Sequence, residues 1–392
     1  MLEPDRLVPP DVQRRLAALR EEIHRHPELG FREHETAKRL YDALSELRPV
    51  ALERIAGTGV MARLRGREPS VPVVAVRGDI DALPITEETG LPFASQQAGL
   101  MHACGHDVHA AWTVGAAHLL AREPAAGDVI VVLQPAEETG KGAAAVLASG
   151  ALAGVAAIFG GHVDRRFAVG QVVAQPGALA ASADTFTITL RGAGAHAARP
   201  HESADPVVGA GALIGALQTV VARRVNPSVP AVLTVGTVHA GTAPNVIPDC
   251  ATLSGTLRAV DPDTRALLQR EVRRVAEGVA SAHGLIADVA LDIGPPPLVN
   301  PSHPAGWAQR AVEHVLGADA IMPLGSLNLA AEDFACYLQQ MTGCFLRIGA
   351  REAGGVPIPA HSPHFYAAEQ SIFVGAAVLA ETARVASAEL RG

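Results

Sequence analysis

Short and mostly apolar runs recur along the chain, and each run leads into a segment that carries polar residues. The runs cover residues 71–76, 129–133, 155–159 and 344–349, and Arg347 interrupts the last of them. Such runs indicate strands that are buried on both faces, because a strand with one solvent-exposed face would alternate apolar and polar residues. We therefore predict an α/β fold with a mostly parallel central sheet. Open sheets of this kind place polar chemistry beyond the carboxyl ends of their strands.

The segment that precedes these runs has a helical period. Across residues 11–47, apolar positions recur every three to four residues, which predicts an amphipathic helix. Pro27 and Gly30 interrupt this pattern, so we expect two helices rather than one. The recurring positions are Leu16, Leu19, Ile23, Ala37, Leu40 and Leu44.

The middle of the chain has a different pattern. Strand-like alternation and helical periods succeed one another there in the order βαββαβ, which is the ferredoxin-like arrangement. Apolar runs that lead into polar residues lie both before and after this segment. We therefore predict that residues 182–294 are inserted into a catalytic domain formed by residues 1–181 and 295–392. The strand-like segments are 183–190, 231–239, 250–258 and 286–291, and the helical ones are 205–222 and 261–283.

Composition excludes some classes of protein. The net charge of -8 argues against a nucleic-acid partner, which would favour a basic surface. Residues 142–163 carry no Asp, Glu, Lys or Arg and are long enough to span a bilayer. Their Ala and Gly content instead predicts a short helix, a loop and a buried strand, so we expect no membrane span. Four cysteines without a CxxC pair, and no apolar leader, favour a cytoplasmic location.

Residues 102–109 read HACGHDVH and concentrate potential metal ligands. Cys104 and His106 are two residues apart and can reach one metal ion if the backbone turns at Gly105. A lone Cys is most often a small buried hydrophobe, and a lone His is most often a hydrogen-bonded structural residue. Three His and one Cys within eight residues favour a metal site.

Two adjacent carboxylates, Glu137 and Glu138, follow the second apolar run. One interpretation is an acidic first turn of a helix, which the helix dipole would stabilise. The alternative gives the pair two roles that one group cannot combine. One carboxylate binds a metal ion and its neighbour acts as general base for the attacking water.

His162 and His361 follow the third and fourth runs, and each alone is compatible with a structural role. Together with Cys104, His106 and Glu138 they supply five donors, more than one tetrahedral ion uses while keeping an open position. We predict two cations about 3.5 to 4 Å apart. A further histidine, His364, is a competing ligand in the same loop as His361.

Other polar residues have two interpretations each. Asp79 and Asp81 follow the first run, and Asp81 could orient a ligand imidazole or simply cap the loop. His196 and Asn245 lie in polar loops of the inserted segment. They could donate hydrogen bonds to a developing oxyanion, although loops are commonly polar without such a role.

These motifs, in this order, resemble the bacterial and plant amidohydrolases of the aminoacylase–carboxypeptidase metallopeptidase family. The most similar branch contains hippurate hydrolase, N-acyl-amino-acid amidohydrolases and indole-acetyl-amino-acid hydrolases. The matching segments run from His24 to Phe365 and include MHACGHDVHAAW, QPAEETGKGA, GTAPNVIPD and AHSPHF. The chain departs from the usual pattern at Gly160-Gly161, where relatives have Gly-Leu, and at Ala330-Ala331.

The resemblance implies a di-metal catalytic domain with an inserted ferredoxin-like domain that serves as a lid and often for dimerisation. It implies Glu137 as general base, His196 as a residue that reaches the substrate, and looser roles for Asn245 and Arg258. The implied ligands of two divalent ions (Zn, Mn, Ni or Co) are Cys104, which bridges them, His106, Glu138, His162 and His361.

The implied activity is hydrolysis of the amide bond of an N-acyl amino acid. The resemblance also implies a homodimer or higher oligomer, and we expect this small-molecule substrate to be its other partner. A carboxypeptidase or dipeptidase acting on short peptides is an alternative within the hydrolases. A metal-stabilised binding protein without turnover is an alternative of another class. The adjacent Glu137 and Glu138 favour an enzyme, because a pure binding protein has no use for a free base.

Overall fold

The computed structural model describes residues 4–391 and divides the chain into two compact units. The first unit comprises the chain up to Gly177, Asn300–Ser326 and the chain from Asp333 onward. The second unit comprises Ala178–Val299 and Leu327–Glu332.

The helices and strands follow one another along both units. The α-helices are α1 (Pro4–Leu7), α2 (Pro10–Arg25), α3 (His34–Ser45), α4 (His106–Arg122), α5 (Gly142–Ala148), α6 (Pro206–Arg224), α7 (Pro262–Ala282), α8 (Ser302–Leu316) and α9 (Gln370–Glu389). The strands are β1 (Ala51–Ile55), β2 (Gly59–Leu64), β3 (Val73–Asp79), β4 (Val129–Gln134), β5 (Val155–Ala168), β6 (Val172–Val173), β7 (Gly177–Ala180), β8 (Asp184–Arg191), β9 (Ala195–His196), β10 (Ala231–Ala240), β11 (Val246–Ile247), β12 (Cys250–Ala259), β13 (Ile286–Asp292), β14 (Leu298–Asn300) and β15 (Thr342–Arg351).

The sheet of the first unit has the strand order β1-β2-β4-β3-β5-β15-β6. Its four central strands, β4, β3, β5 and β15, pair in parallel, while the outer strands join antiparallel. These four strands are the apolar runs of the sequence, so the prediction of a mostly parallel central sheet is confirmed. The predicted pair of helices before the sheet is also confirmed, as α2 and α3.

Strand β5 is longer than the sequence predicts. It continues through Gly160 and Gly161, so His162 lies inside the strand rather than at its end. Its parallel ladder with β15 supplies backbone hydrogen bonds beyond this point, and His162 pairs in register with Arg347. Gly160 also makes room for a ring, since a Cβ there would lie 2.9 Å from Phe334. The ladder with β15 explains why the two glycines do not end the strand.

Helices α4 and α9 pack against each other in the core of the first unit. Gly375 on α9 faces the ring of Trp112 on α4, and a Cβ at Gly375 would lie 2.3 Å from Cε3 of that ring. The absence of a side chain therefore allows the two helices their close approach. Residues 142–163 form α5, a turn and the start of β5, which confirms the predicted helix, loop and buried strand.

The second unit contains an antiparallel four-stranded sheet in the order β10-β12-β8-β13. Helices α6 and α7 pack on it through a shared apolar cluster. Phe186, Ile188 and Leu190, which the alternation placed on one face of β8, are fully buried in that cluster. The predicted strands and helices of this segment are found in the predicted order.

Within residues 4–391, two helices, α6 and α9, are long and apolar enough to cross a membrane by length and composition. In α9, 83% of the most apolar window is buried inside the structure, whereas in α6 the figure is 33%. High burial of this kind is typical of the core helix of a globular unit.

Candidate metal centre

The predicted donors of the first unit lie around one edge of its central sheet. Glu137 and Glu138 form a turn of 3-10 helix directly after β4, and His361 lies in the loop that follows β15. His106 is the first residue of α4, after a left-handed turn at Gly105 with a φ of 90°. Because parallel strands bring their carboxyl ends to the same edge, residues distant in sequence meet there.

The donor atoms form two groups that share one sulfur. In the first group, donor atoms of Cys104, His106 and His162 lie within 4.8 Å of one another, and Cys104 Sγ is 3.2 Å from His162 Nε2. The second group, Cys104, Glu138 and His361, satisfies the same limit, with Glu138 Oε1 3.4 Å from His361 Nε2. An arrangement with a common thiolate fits two cations joined by a bridging ligand.

Two buried atoms in this cluster support a cation site. His106 Nε2 and Glu138 Oε1 are both buried without a hydrogen-bond partner among the described residues, and they are 3.9 Å apart. Buried polar atoms are normally hydrogen-bonded. Here the near neighbours of Glu138 Oε1 are two imidazole nitrogens, His361 Nε2 at 3.4 Å and His106 Nε2 at 3.9 Å, and such a set of donor atoms fits a ligand role. Sulfur, imidazole and carboxylate donors suit Zn and its first-row neighbours.

Burial shapes the protonation of Cys104 and His162. It raises the pKa of the Cys104 thiol well above its usual value, and the nearby Glu138 carboxylate adds to this. Burial lowers the pKa of His162 well below its usual value. The resulting neutral imidazole donates from Nδ1 to the Val163 carbonyl at 2.7 Å. Its Nε2 then carries a free lone pair, which faces Cys104. A cation that binds here must displace the thiol proton, so its affinity rises with pH.

Asp81 connects the two groups. Its Oδ1 lies 3.1 Å from His106 Nδ1, and its Oδ2 accepts the backbone N–H of Glu138 at 3.0 Å. Burial disfavours a charged His106, but the carboxylate of Asp79 and the sulfur of Cys104 outweigh it and raise the pKa of His106. One buried carboxylate thus orients an imidazole of the first group and the backbone of a residue in the second.

Glu137 is held beside the donor groups. Its Oε1 accepts the backbone N–H of Asp333 at 3.2 Å, and its Oε2 lies 4.0 Å from His106 Nε2. The preceding residue, Ala136, has a φ of 55°, a region that costs a residue with a side chain about 1 to 2 kcal/mol. Its backbone N–H donates to the buried Glu33 at 2.8 Å. Glu33 thereby supports the turn that presents Glu137 and Glu138, a role that no local pattern in the sequence indicates.

His109 belongs to the HACGHDVH cluster in sequence but has another role in the structure. Its Nδ1 is 2.6 Å from Asp79 Oδ1, and its Nε2 accepts the backbone N–H of Val163 at 2.9 Å. Asp79 also pairs with the fully buried Arg77 at 2.6 Å. His109 and Asp79 therefore support the backbone next to His162. The spacing of His109 from His106, three residues on one helix, could have indicated that the two rings share a face.

The two histidines of the last loop face different partners. His361 has a φ of 67°, and its N–H donates to the carbonyl of Ala103 at 2.8 Å, which carries its ring to Glu138. His364 turns to Glu88, with Nδ1 3.0 Å from the carbonyl and Nε2 3.5 Å from the carboxylate. The structure brings His361, and not His364, into a donor group.

His196 and Asn245 lie in the second unit, where they are neighbours. Strand β9 pairs with β11 so that His196 stands opposite Val246, and Ala197 N–H donates to the Asn245 carbonyl at 3.0 Å. Both residues are exposed, while Arg258 on β12 is half-buried. The structure therefore groups the two loop residues that the sequence selected.

Comparison with known proteins shows extensive similarity. A family model described as peptidase family M20/M25/M40 matches residues 75–385. An N-acetyl-L-cysteine deacetylase of Bacillus subtilis (strain 168) is 42% identical over 86% of this chain and 81% of its own. An N-acetylcysteine deacetylase of the same organism is 40% identical over 94% of this chain and 96% of its own. The solved structure of the Bacillus subtilis YxeP protein, described as a dinuclear metal-binding peptidase from the M20 family, is 36% identical, with a TM-score of 0.85 over 96% of this chain and 98% of that chain.

These similarities confirm the predicted family branch and the predicted class of enzyme, a metal-dependent amidohydrolase. They extend across both units and do not depend on the few donor residues alone. With a family model that covers most of its length, the chain belongs to peptidase family M20/M25/M40.

Proposed function

We propose that the protein hydrolyses the amide bond of N-acyl amino acids, releasing the acyl carboxylate and the free amino acid. The observation that carries this proposal is the pair of donor groups sharing Cys104, with the Glu137 carboxylate beside them. Two deacetylases of N-acetylcysteine among the relatives support an N-acyl amino acid over a longer peptide.

In this proposal Cys104, His106 and His162 hold one divalent cation, and Cys104, Glu138 and His361 hold a second. When bound, such cations polarise the scissile carbonyl and make water a better nucleophile at neutral pH. The sulfur, nitrogen and oxygen donors are compatible with Zn, Mn, Ni or Co, since selectivity depends on geometry and supply.

The residues of the chain then act on protons and orientation. Glu137 accepts the proton of the attacking water and returns it to the leaving amine, with its Oε1 fixed by the Asp333 N–H. Asp81 keeps the ring of His106 in the orientation that directs Nε2 towards Glu138. His196 and Asn245 are proposed donors of hydrogen bonds to the oxyanion.

We also propose a domain organisation, an oligomeric state and a cellular location. The βαββαβ order and the strand order β10-β12-β8-β13 support a ferredoxin-like module inserted at residues 182–294, within a catalytic domain of residues 1–181 and 295–392. We propose that this module serves as lid and dimerisation domain, that the protein is a homodimer or higher oligomer, and that it works in the cytoplasm. Light scattering of the purified protein tests the oligomeric state.

A substrate panel with measured metal content tests the activity. Cation-loaded protein should release free amino acid from N-acetyl or N-benzoyl amino acids faster than from dipeptides. Glu137→Gln should retain both cations and lose about 100- to 10,000-fold in kcat, because proton transfer is removed while the geometry survives.

Glu138→Gln is the matched comparison, since it should lose a cation as well as activity. Near-normal turnover by a fully loaded Glu137→Gln variant would reject the assigned base. Activity on dipeptides alone would favour the carboxypeptidase or dipeptidase alternative. Full loading without turnover of any substrate would favour the binding protein.

A further inference from the structure

Arg347 on β15 carries a buried charge that no described side chain neutralises. The residue is only 9% exposed, and its Nε is buried without a hydrogen-bond partner among residues 4–391. No carboxylate of a described side chain forms an ion pair with it. An uncompensated charge in such a place is costly, and buried charges in proteins are normally paired.

Other buried arginines of the same unit show how this fold usually accommodates the group. The guanidinium of Arg165 donates to both oxygens of Glu352, at 2.8 and 3.1 Å, and to backbone carbonyls. Arg77 pairs with Asp79 at 2.6 Å and with Asp333 at 2.9 Å. Arg347 is the exception among these, so the anion expected beside it is one that the described chain does not supply.

The position of Arg347 places it at the candidate metal centre. It pairs in register with His162 in the parallel ladder between β15 and β5, and paired residues of neighbouring strands project to the same face. His162 is the residue whose Nε2 lies 3.2 Å from Cys104 Sγ. The side chain of Arg347 therefore lies on the face of the sheet that carries this donor group.

A ring sets the orientation of the guanidinium. The Cζ of Arg347 lies 5.7 Å from the centroid of Phe345, within the range of a cation–π contact. A guanidinium held in this way offers a planar fork of donors, which matches the two oxygens of a carboxylate.

We propose that Arg347 binds a carboxylate of the substrate and so contributes to the choice of N-acyl amino acids over neutral amides. The inference rests on the proposed function. Every N-acyl amino acid carries an α-carboxylate, and a dicarboxylic acyl group such as succinyl would carry another. The shared chemistry is a carboxylate near the scissile amide, and substrates that carry one or the other distinguish the two sources.

The experiment compares wild type with Arg347→Gln on three substrates: an N-acetyl amino acid, its C-terminal amide, and the N-succinyl derivative of that amide. The variant should lower kcat/KM by about 30-fold or more for the substrate whose carboxylate Arg347 binds, as for a charge-paired group that loses its partner. The loss on the neutral N-acetyl amide should stay within about threefold. A loss on the N-acetyl acid identifies the α-carboxylate, and a loss on the succinyl amide identifies the acyl carboxylate.

Stability gives a second and independent measurement. Arg347→Met keeps the length of the side chain and removes a charge that has no partner, so its melting temperature without substrate should equal or exceed that of wild type. A lower melting temperature would indicate a structural partner and count against the proposal. Competition by the free amino acid and by its amide repeats the acid-to-amide comparison without turnover.

Arg310→Gln on α8 is the matched control, because Arg310 is 43% exposed and pairs with Glu389 on the surface. It should leave all three rates unchanged, and metal content should match wild type in every variant. Equal losses by Arg347→Gln on all three substrates, or no loss on any, would overturn the inference. Failure of loaded wild type to hydrolyse any N-acyl amino acid would instead reject the proposed function, so the two failures are distinguishable.

Discussion

Replacing Asp81 with Asn should weaken one of the two proposed cation sites selectively. The carboxylate accepts two buried contacts, from His106 Nδ1 at 3.1 Å and from the backbone N–H of Glu138 at 3.0 Å. An Asn side chain has one acceptor oxygen, and its NH2 group must then face the other donor. One contact is lost whichever way the amide turns, and the two contacts support different donor groups.

The expected magnitude follows from that single lost contact. A hydrogen bond to a charged group contributes about 1.5 to 3 kcal/mol, and each 1.4 kcal/mol is about tenfold in an equilibrium constant. Replacing a residue that orients a metal ligand typically weakens binding about 10- to 100-fold, in agreement with this figure. We expect one cation to bind about 10- to 100-fold more weakly and the other to change little.

Titration of the metal-free protein with Zn in competition with a chromophoric chelator measures both affinities in one experiment. Asp288→Asn is the matched control, because Asp288 is 59% exposed and pairs with Arg191 on the surface of the second unit. Unchanged affinity at both sites in Asp81→Asn would refute the assigned role. An equal loss at both sites would show that Asp81 does not act through separate contacts.

Three further predictions concern stability. Removing divalent cations with a chelator should lower the melting temperature, reversibly on adding the cation back, because ligand at 100 times its Kd contributes about 2.7 kcal/mol; an unchanged melting temperature would contradict the cation sites. Hydrogen bonds from Arg165 lower the pKa of Glu352 from 4.5 to about 2. The contribution of the Glu352 carboxylate to the free energy of unfolding is therefore present above pH 4.5 and lost as the pH falls through 2. In Glu352→Gln, the free energy of unfolding measured in urea should depend less on pH across this range. Gly375→Ala would place a Cβ 2.3 Å from Trp112 and should cost about 1 to 3 kcal/mol in urea unfolding, whereas wild-type stability would contradict the close packing of α4 and α9.

Local pattern predicted the four central strands, helices α2 and α3, the βαββαβ elements of the second unit and the candidate donor residues. Apolar runs report burial on both faces, so β3, β4, β5 and β15 could be predicted without knowledge of their partners. Because the ends of parallel strands meet at one edge, the polar residues after each run could be expected to converge. Cys104, Glu138 and His361 were found together for this reason, although 257 positions separate the first from the last.

Only the tertiary structure decided which partner each buried or site residue contacts. Nothing in the sequence near Glu33 indicates that it accepts the N–H of Ala136, 103 positions away. The loop sequence offers His364 as a competitor of the predicted ligand His361, and the contacts of each with Glu88 or Ala103 separate them. The missing anion partner of Arg347 is likewise invisible until all neighbours are in place. Hydrophobic pattern determines whether a position is buried, whereas the partner of a buried polar group depends on long-range packing that no local period encodes.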